Sequence, residues 1–336
     1  MKHIFFVHSH ICFAIARAII DKKSLPISDV TLITDRNYYP PNNKWLVTVV
    51  PPNELFIFER NILKGRANIK SIERYIKQIS VDKFEYYCPH TLNPFSNFII
   101  HHPNCVANHL IEEGTNSYLD SAEINKIHSP LRLTWRQKLW SFLFYSSRFK
   151  VCSFYPEHYL NAYCTSSHAF PGKINKVVLN IDFSLIYNKS RLDVSNILVL
   201  DSAVETKYSD PENYLHGIKS LIFYINNNLP KNTVIGIKLH PYQYCDRWFA
   251  DRIFLILADA LGTDRIVELA ADTSIESVDW SGGGHLFLGM SSLSIYAKRA
   301  GCKCYSYARV IASHDEKYRH RLAHQPQAFI DSVNFF

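Results

Sequence analysis

The sequence predicts an α/β fold made of two successive Rossmann-like units, each built on a parallel sheet. Short apolar runs alternate with segments of helical periodicity along most of the 336 residues, a pattern typical of parallel sheets. The alternation starts near residue 4 and starts again near residue 196. Because this length suits two ordinary domains, we expect units 1–190 and 191–336 that face each other across a central cleft, joined in the polar stretch Tyr187–Ser195.

In the first unit, apolar runs bounded by polar residues predict the strands. A helix is expected over 11–21, and a second over 69–79, where apolar residues recur on one helical side. The predicted strands are Ile4–His8, Val30–Thr34, Phe84–Cys88 and Cys105–Ile111.

The second unit repeats the pattern with clearer helix signals. Asp210 and Pro211 are typical of a helix N-cap and first turn, and Gly301 is typical of a left-handed helix stop. Further helices are expected over 248–261, near 275 and over 292–300. The predicted strands are Asn196–Asp201, Thr233–Leu239, Arg265–Leu269, His285–Leu288 and Cys302–Tyr307.

Composition narrows the classes of partner. The chain is 47% hydrophobic and 14% aromatic, with a net charge of +7. This moderate excess suits nucleotides, acidic glycans or an anionic membrane face, whereas the absence of a Lys/Arg run or zinc-finger spacing argues against nucleic acid. We expect a cytoplasmic protein, because we find no signal peptide or membrane-spanning apolar stretch and the eight Cys have no framework spacing.

The first candidate site is Glu112-Glu113-Gly114, which follows an apolar strand. Ligands in open α/β sheets bind beyond the carboxyl ends of the strands, and Gly114 permits a tight turn there. A carboxylate so placed can take a proton from an acceptor hydroxyl. The alternative is a solvated acidic turn.

Two further polar clusters also follow predicted strands. In Lys238-Leu239-His240-Pro241 the proline restricts His240, whose imidazole can donate to a leaving phosphate. In Gly289-Met290-Ser291-Ser292 the hydroxyls and the following helix start can bind an anion. An ordinary loop histidine and simple helix capping are the respective alternatives.

The sequence lacks the motifs of several other kinds of site. There is no Asp-x-Asp pair for a metal-bound nucleotide sugar, no Walker A loop and no G-x-S-x-G elbow. His101, His102 and Cys105 lack zinc spacing. We therefore predict a metal-independent protein without a cofactor.

Taken in order, the clusters resemble those of the bacterial GT-B sialyltransferases and polysialyltransferases. That family shares an acidic-acidic-Gly motif, a His-Pro and a Ser-Ser or Ser-Thr pair, which are matched here by IEEGTNSY, KLHPYQ and GMSSLSIYA. Before the Ser pair the family often has a Glu that contacts the cytidine nucleotide, and Glu276 is at that place. The opening HIFFVHSHICFAIARAII is similar to the polysialyltransferase start, where a strand delivers polar residues, here His8 and Ser9, to the cleft.

The resemblance implies an inverting transfer of a nonulosonic acid from a CMP-activated donor to a glycan hydroxyl. Glu112 or Glu113 is the implied base, with a preference for Glu112, and His240 stabilises or protonates the departing phosphate. The first unit then binds the acceptor and the second the CMP-sugar. The implied substrate-binding residues are Ser291, Ser292, Glu276, Pro241, Gly114, Ser202, His8 and Ser9.

The sequence departs from the family's motifs at two places, and two alternative functions stay open. The acidic pair is Glu-Glu, and the segment YQYCDRW after His240 lacks the basic or glycine residues often seen in the family. A GT-B transferase that uses another nucleotide sugar, or a non-catalytic glycan-assembly protein, therefore stays open.

A basic aromatic segment, Leu131–Phe149, suggests where such an enzyme meets its acceptor. It mixes aromatic residues with Arg and Lys, as helices on anionic membrane surfaces do, although packing against its own domain is the alternative. We expect a glycan or glycolipid acceptor and peripheral contact with the anionic inner face of the membrane.

Overall fold

The chain folds into two compact units, Met1–Ile181 and Asp182–Phe336, in a computed structural model. The structure describes residues 1–35, 38–41, 44–51, 62–128, 134–145, 153–182, 194–271, 273–280 and 282–336. The boundary predicted near residue 190 lies outside the described residues, as do both ends of the predicted 131–149 segment.

The first unit is built on a seven-stranded parallel sheet in the order β3-β2-β1-β4-β5-β6-β7. Its core strand, β1, has a continuous buried apolar run, as expected of a strand covered on both faces. The strands are β1 Lys2–Val7, β2 Val30–Thr34, β3 Leu46–Val49, β4 Phe84–Cys88, β5 Cys105–Ile111, β6 Ala162–Cys164 and β7 Lys176–Val178.

The helices of the first unit begin with recognisable caps where their first residues are described. Ser9 caps the first, Asn93 the third, and Asp120 the fourth, where Asp120 and Glu123 form a capping box. The helices are α1 His10–Lys22, α2 Ile62–Ile79, α3 Pro94–Ile100, α4 Ser121–Ile127 and α5 Trp135–Tyr145.

The second unit is built on a six-stranded parallel sheet in the order β10-β9-β8-β11-β12-β13. Apolar clusters cover both of its faces, one around Leu198 and Ile237 and one around Ile197 and Leu286. The strands are β8 Asn196–Val199, β9 Ile235–Lys238, β10 Ile266–Glu268, β11 His285–Leu288, β12 Lys303–Ser306 and β13 Asn334–Phe335.

The helix signals read from the second half are confirmed. Asp210 accepts a hydrogen bond from the Glu212 amide as N-cap, with Pro211 in the first turn, and Gly301 has a φ of 90°. The helices are α6 Pro211–Asn228, α7 Pro241–Cys245, α8 Trp248–Leu261, α9 Leu293–Arg299, α10 Ala308–His314, α11 Glu316–Ala323 and α12 Gln327–Ser332.

Both sheets are doubly wound, and each reverses its strand order once beside the first strand of its unit. The reversal lies between β1 and β4 in the first sheet and between β8 and β11 in the second. Such a switch point opens a crevice at the carboxyl ends of the strands, which is where open α/β sheets bind ligands.

Candidate functional site

Gly114 shapes the end of β5. Its φ of 139° and ψ of −146° are open to glycine and strained for other residues. The chain then enters a short 3₁₀ helix, Thr115–Tyr118, and the Ser117 hydroxyl accepts a hydrogen bond from the Glu113 amide at 3.0 Å. The turn therefore holds the acidic pair at the carboxyl edge of the sheet.

Glu112 is fully buried and its carboxylate is held by hydrogen bonds. The Tyr118 hydroxyl donates to Oε1 at 2.6 Å, and the Thr165 amide donates to Oε2 at 2.6 Å. The Thr165 hydroxyl lies 2.9 Å from Oε2 and 3.1 Å from Oε1. Glu112 thus links the end of β5 to Thr165, the residue after β6, and so has a structural role.

Glu113 points to a different environment, between two imidazoles. Its Oε2 lies 3.4 Å from Nε2 of His8 and 3.8 Å from Nε2 of His90. The side chains of His8, Glu113 and His90 are 5%, 7% and 13% exposed, so the three groups form a nearly buried polar cluster.

Strand order explains why these three residues meet. His8 follows β1, His90 lies two residues after β4, and Glu113 lies two residues after β5, and these strands are adjacent and parallel. Their carboxyl ends share one edge of the sheet, at the switch point. His90 was not among the predicted site residues, although the rule that selected the others, a polar side chain just past a predicted strand, also selects it.

Ser9 has a structural role in this structure. As N-cap of α1, its hydroxyl accepts a hydrogen bond from the Cys12 amide at 3.4 Å. Ser9 therefore fixes the start of the helix that follows His8.

In the second unit, His240 ends the β9 segment and caps α7. Its Nδ1 accepts a hydrogen bond from the Tyr242 amide at 3.3 Å, and Pro241 occupies the first turn. A neutral ring whose Nδ1 is an acceptor carries its proton on Nε2. The capping hydrogen bond at Nδ1 therefore leaves Nε2–H as the donor of the ring.

Gln243 completes a capping box and links this helix to the residues after β8. Its side chain accepts from the His240 amide at 2.9 Å and donates to Glu205 Oε1 at 2.9 Å and to the Asp201 carbonyl at 3.1 Å. Burial raises the pKa of Glu205. Glu205 is a titratable group at this edge that sequence reasoning missed, because nothing in its local sequence marks it.

Gly289 makes the loop after β11 fit closely against its neighbours. A Cβ at Gly289 would meet the Asp201 carboxylate and would lie 2.7 Å from the Tyr318 hydroxyl. Asp201 accepts from the Met290 amide at 3.2 Å and from Tyr318 at 3.1 Å, so the carboxylate fixes the loop that carries the serine pair.

The two serines of that loop have different environments. The Ser291 hydroxyl accepts from the Leu293 amide at 3.3 Å and so serves as a helix cap. Ser292 is the N-cap residue by position, but its side chain makes no cap hydrogen bond. Both are half-buried, and the Ser292 hydroxyl is not used in the helix cap.

The remaining predicted residues lie at the same edge of the second sheet. Ser202 follows β8, and Glu276 lies in a 3₁₀ helix after β10, where its Oε2 accepts from the Ser274 hydroxyl at 3.0 Å. No direct hydrogen bond among the described contacts joins the side chains of Ser202, Glu276, Ser292 and His240. The fold brings them to one edge because β10, β9, β8 and β11 are consecutive in the sheet.

The class of protein follows from these two sheets. Two Rossmann-like units in succession, each with polar groups at the carboxyl ends of its parallel strands, fit the GT-B fold, and the predicted α/β class with two Rossmann-like units is confirmed. Across the described part of the chain, no three His, Cys, Asp or Glu side chains are grouped so that they could hold a metal ion.

Solved structures with a similar chain trace include glycosyltransferases and an epimerase. The GT-B domain of a sialyltransferase from Photobacterium damselae is 11% identical, with a TM-score of 0.48 over 96% of this chain and 97% of that one. The UDP-GlcNAc 2-epimerase from Methanocaldococcus jannaschii is 11% identical, with a TM-score of 0.45 over 99% and 91%. A glycosyltransferase from Rickettsia africae is 10% identical, with a TM-score of 0.41 over 91% and 78%. The sequence matches no protein-family model and no curated protein.

Proposed function

We propose that this chain is an inverting, metal-independent glycosyltransferase. It moves a sialic-acid-like nonulosonic acid from a CMP-activated donor to a glycan hydroxyl of a surface polysaccharide or lipid-linked oligosaccharide. The observation that carries the proposal is the Glu113 carboxylate held beside His8 and His90 at the switch point of the first sheet. The GT-B fold and the ordered acidic, His-Pro and Ser-Ser motifs support the choice of donor.

In this proposal the base is Glu113, whereas the sequence favoured Glu112. Tyr118 and Thr165 donate hydrogen bonds to the Glu112 carboxylate, and its side chain has no exposure. A base must reach the proton it removes, and Glu113 keeps a small accessible fraction. The neighbouring imidazoles of His8 and His90 orient the carboxylate.

The reaction is a single displacement. The acceptor oxygen bonds to the anomeric carbon as the bond from that carbon to the CMP phosphate oxygen breaks, and the hydroxyl proton passes to Glu113. The electron pair of the broken bond leaves with CMP. Nε2–H of His240 donates to the departing phosphate, and the Ser292 hydroxyl offers a second donor. The loop and helix geometry that supports the catalytic groups depends on Ser291, Pro241 and Gly114. The proposed nucleotide contacts are Glu276 and Ser202.

Titration calorimetry with CMP in excess chelator tests the donor assignment, with UDP and GDP as matched competitors. We expect CMP to bind without a divalent ion and to bind more tightly than UDP or GDP. Release of CMP from CMP-activated nonulosonic acids in the presence of glycan acceptors tests the reaction. Tighter binding of UDP or GDP would assign the chain to the alternative class of GT-B transferases, and loss of CMP binding on chelation would contradict metal independence.

A peripheral contact with the anionic inner face of the membrane belongs to the same proposal. A lipid-linked acceptor lies at a bilayer, so an enzyme that binds the bilayer meets its acceptor at a high local concentration. No helix in the described ranges is long and apolar enough to cross a membrane.

A further inference from the structure

Helix α5, Trp135–Tyr145, has apolar side chains on its exposed face. Ser141 is buried, and Gln137 and Trp140 are half-buried. Among the residues of α5 whose burial is described, the exposed large apolar ones are Trp135 at 70%, Phe142 at 67%, Leu143 at 56% and Leu139 at 48%. An ordinary surface helix shows the opposite arrangement.

These four residues form a single stripe, which we call the α5 stripe. Their spacing of i, i+4, i+7 and i+8 places them on one side of an α-helix. At 3.6 residues per turn, Arg136 falls beside one border of the stripe and Lys138 beside the other, and both are exposed. Long basic side chains next to an apolar stripe can rest on it while their charged ends reach a polar interface.

The neighbouring helix adds positive charge. Helix α2, Ile62–Ile79, packs against α5. It exposes Arg66, Lys70, Arg74 and Lys77, whose spacing also places them along one side of that helix. The acidic residue of α2, Glu73, lies 3.6 Å from Nε2 of His102, and α5 contains no acidic residue.

We propose that the α5 stripe and the basic side of α2 bind an anionic lipid bilayer surface. Apolar side chains that include Trp and Phe, bordered by Arg and Lys, match the boundary between acyl chains and anionic headgroups. A second copy of the chain is a poorer occupant, because it would bring the basic residues of two identical surfaces together. This proposal rests on the proposed function in one respect, since it identifies the surface through which the enzyme would reach a lipid-linked acceptor at the membrane. Vesicle binding itself requires no catalysis.

Vesicle co-sedimentation with the full chain tests the proposal. The probes are neutral phosphatidylcholine vesicles and vesicles that also contain phosphatidylglycerol, at low and high salt. We expect binding to the anionic vesicles alone and a marked loss of binding at high salt. Leu139→Gln combined with Phe142→Gln should weaken binding roughly tenfold, since the stripe then loses apolar contact with the bilayer. Arg66→Gln combined with Lys70→Gln and Arg74→Gln should weaken it to a similar extent.

The matched control is Phe223→Gln on α6, which changes a similarly exposed aromatic residue in the second unit and should leave vesicle binding unchanged. Thermal melting checks that the α5 variants remain folded, as expected for exposed positions. Glu113→Gln should bind vesicles like the parent, so loss of activity and loss of membrane binding are separable. Equal binding to neutral vesicles, no binding at all, or unchanged binding of the α5 double variant would overturn the proposal. A parent dimer that the α5 substitutions split would show that the stripe is a subunit interface.

Discussion

Oε2 of Glu113 lies 3.4 Å from Nε2 of His8, and this pair joins strand ends that come from distant parts of the first unit's sequence. The neighbouring carboxylate, Glu112, accepts its hydrogen bonds from Tyr118 and Thr165 instead. Two adjacent residues of one type therefore have separate roles in our proposal, one in chemistry and one in holding the loop. This separation can be tested.

Glu113→Gln should lower sugar transfer by about 10²–10⁴-fold, since the acceptor hydroxyl loses its base. CMP affinity should stay within a few-fold, because Glu113 belongs to the acceptor side of the proposed reaction. The measurements are CMP release from the activated donor and calorimetric CMP binding. Near-parent transfer by this variant would place the base elsewhere.

Glu112→Gln should act mainly on stability. The amide nitrogen of Gln would face the donors of Tyr118 and Thr165, so we expect a loss of about 1–3 kcal/mol in the free energy of unfolding. Chemical denaturation measures this loss. Below the melting transition, the folded variant should keep much more activity than Glu113→Gln, and the reverse order would restore Glu112 as the base.

Substitution of His240 by Asn and by Ala separates capping from catalysis. Asn is a good N-cap and can replace the acceptor that Nδ1 presents to the Tyr242 amide, whereas Ala cannot and should cost about 1 kcal/mol of stability. Neither residue can supply the imidazole Nε2–H, so both should lose about 10²–10⁴-fold in transfer. A stable and fully active His240→Asn variant would show that the imidazole is only a cap.

Gly289→Ala should disturb the loop that carries the serine pair. The new Cβ would meet the Asp201 carboxylate and the Tyr318 hydroxyl, so the loop must move and CMP binding should weaken. Gly282→Ala is the matched control, because a Cβ there has no heavy atom within 4 Å. Calorimetry measures the CMP affinity of the two variants. Equal affinity would show that the Gly289 loop does not belong to the nucleotide site.

The stability of the first unit should fall in acid because of a cluster around Glu85. Its Oε2 lies 3.4 Å from His109 Nε2, 3.3 Å from His3 Nδ1 and 3.2 Å from Lys23 Nζ. The nearby His109 and His3 imidazoles hold the pKa of Glu85 well below its usual range, and burial lowers the pKa of His109. Both folded-state pKa values are depressed, so the unfolded chain binds more protons.

The stabilising contribution of these groups is therefore complete above their unfolded pKa values and declines as pH falls. The decline begins at pH ~6.5 for His109 and at pH ~4.3 for Glu85. His109→Gln, which cannot titrate, should remove the upper part of the decline in a series of denaturant titrations. His168→Gln is the control, because His168 is exposed. An unchanged pH profile in His109→Gln would mean that His109 does not govern this range.

Much of the fold could be predicted from the sequence, because buried parallel strands are apolar throughout and their helices carry clear caps. The strands Val30–Thr34, Phe84–Cys88, Cys105–Ile111 and His285–Leu288 have the predicted bounds. The strands β3, β6, β7 and β13 were missed, since two to four residues are too few for a periodic signal. The helices that were missed have eight residues or fewer, which also gives a weak periodic signal; they are α3, α4, α7, α10, α11 and α12.

The sequence by itself determined the type of fold and the segments that carry chemistry, because polar residues just past apolar strands mark the carboxyl edge of a parallel sheet. It did not determine which side chains share a site. The insertion of β4 between β1 and β5 brings His90 to Glu113, and the short strand β6 brings Thr165 to Glu112. Strand order is set by the packing of the whole sheet rather than by any local pattern, so only the tertiary structure could separate the buried structural carboxylate of Glu112 from the carboxylate of Glu113.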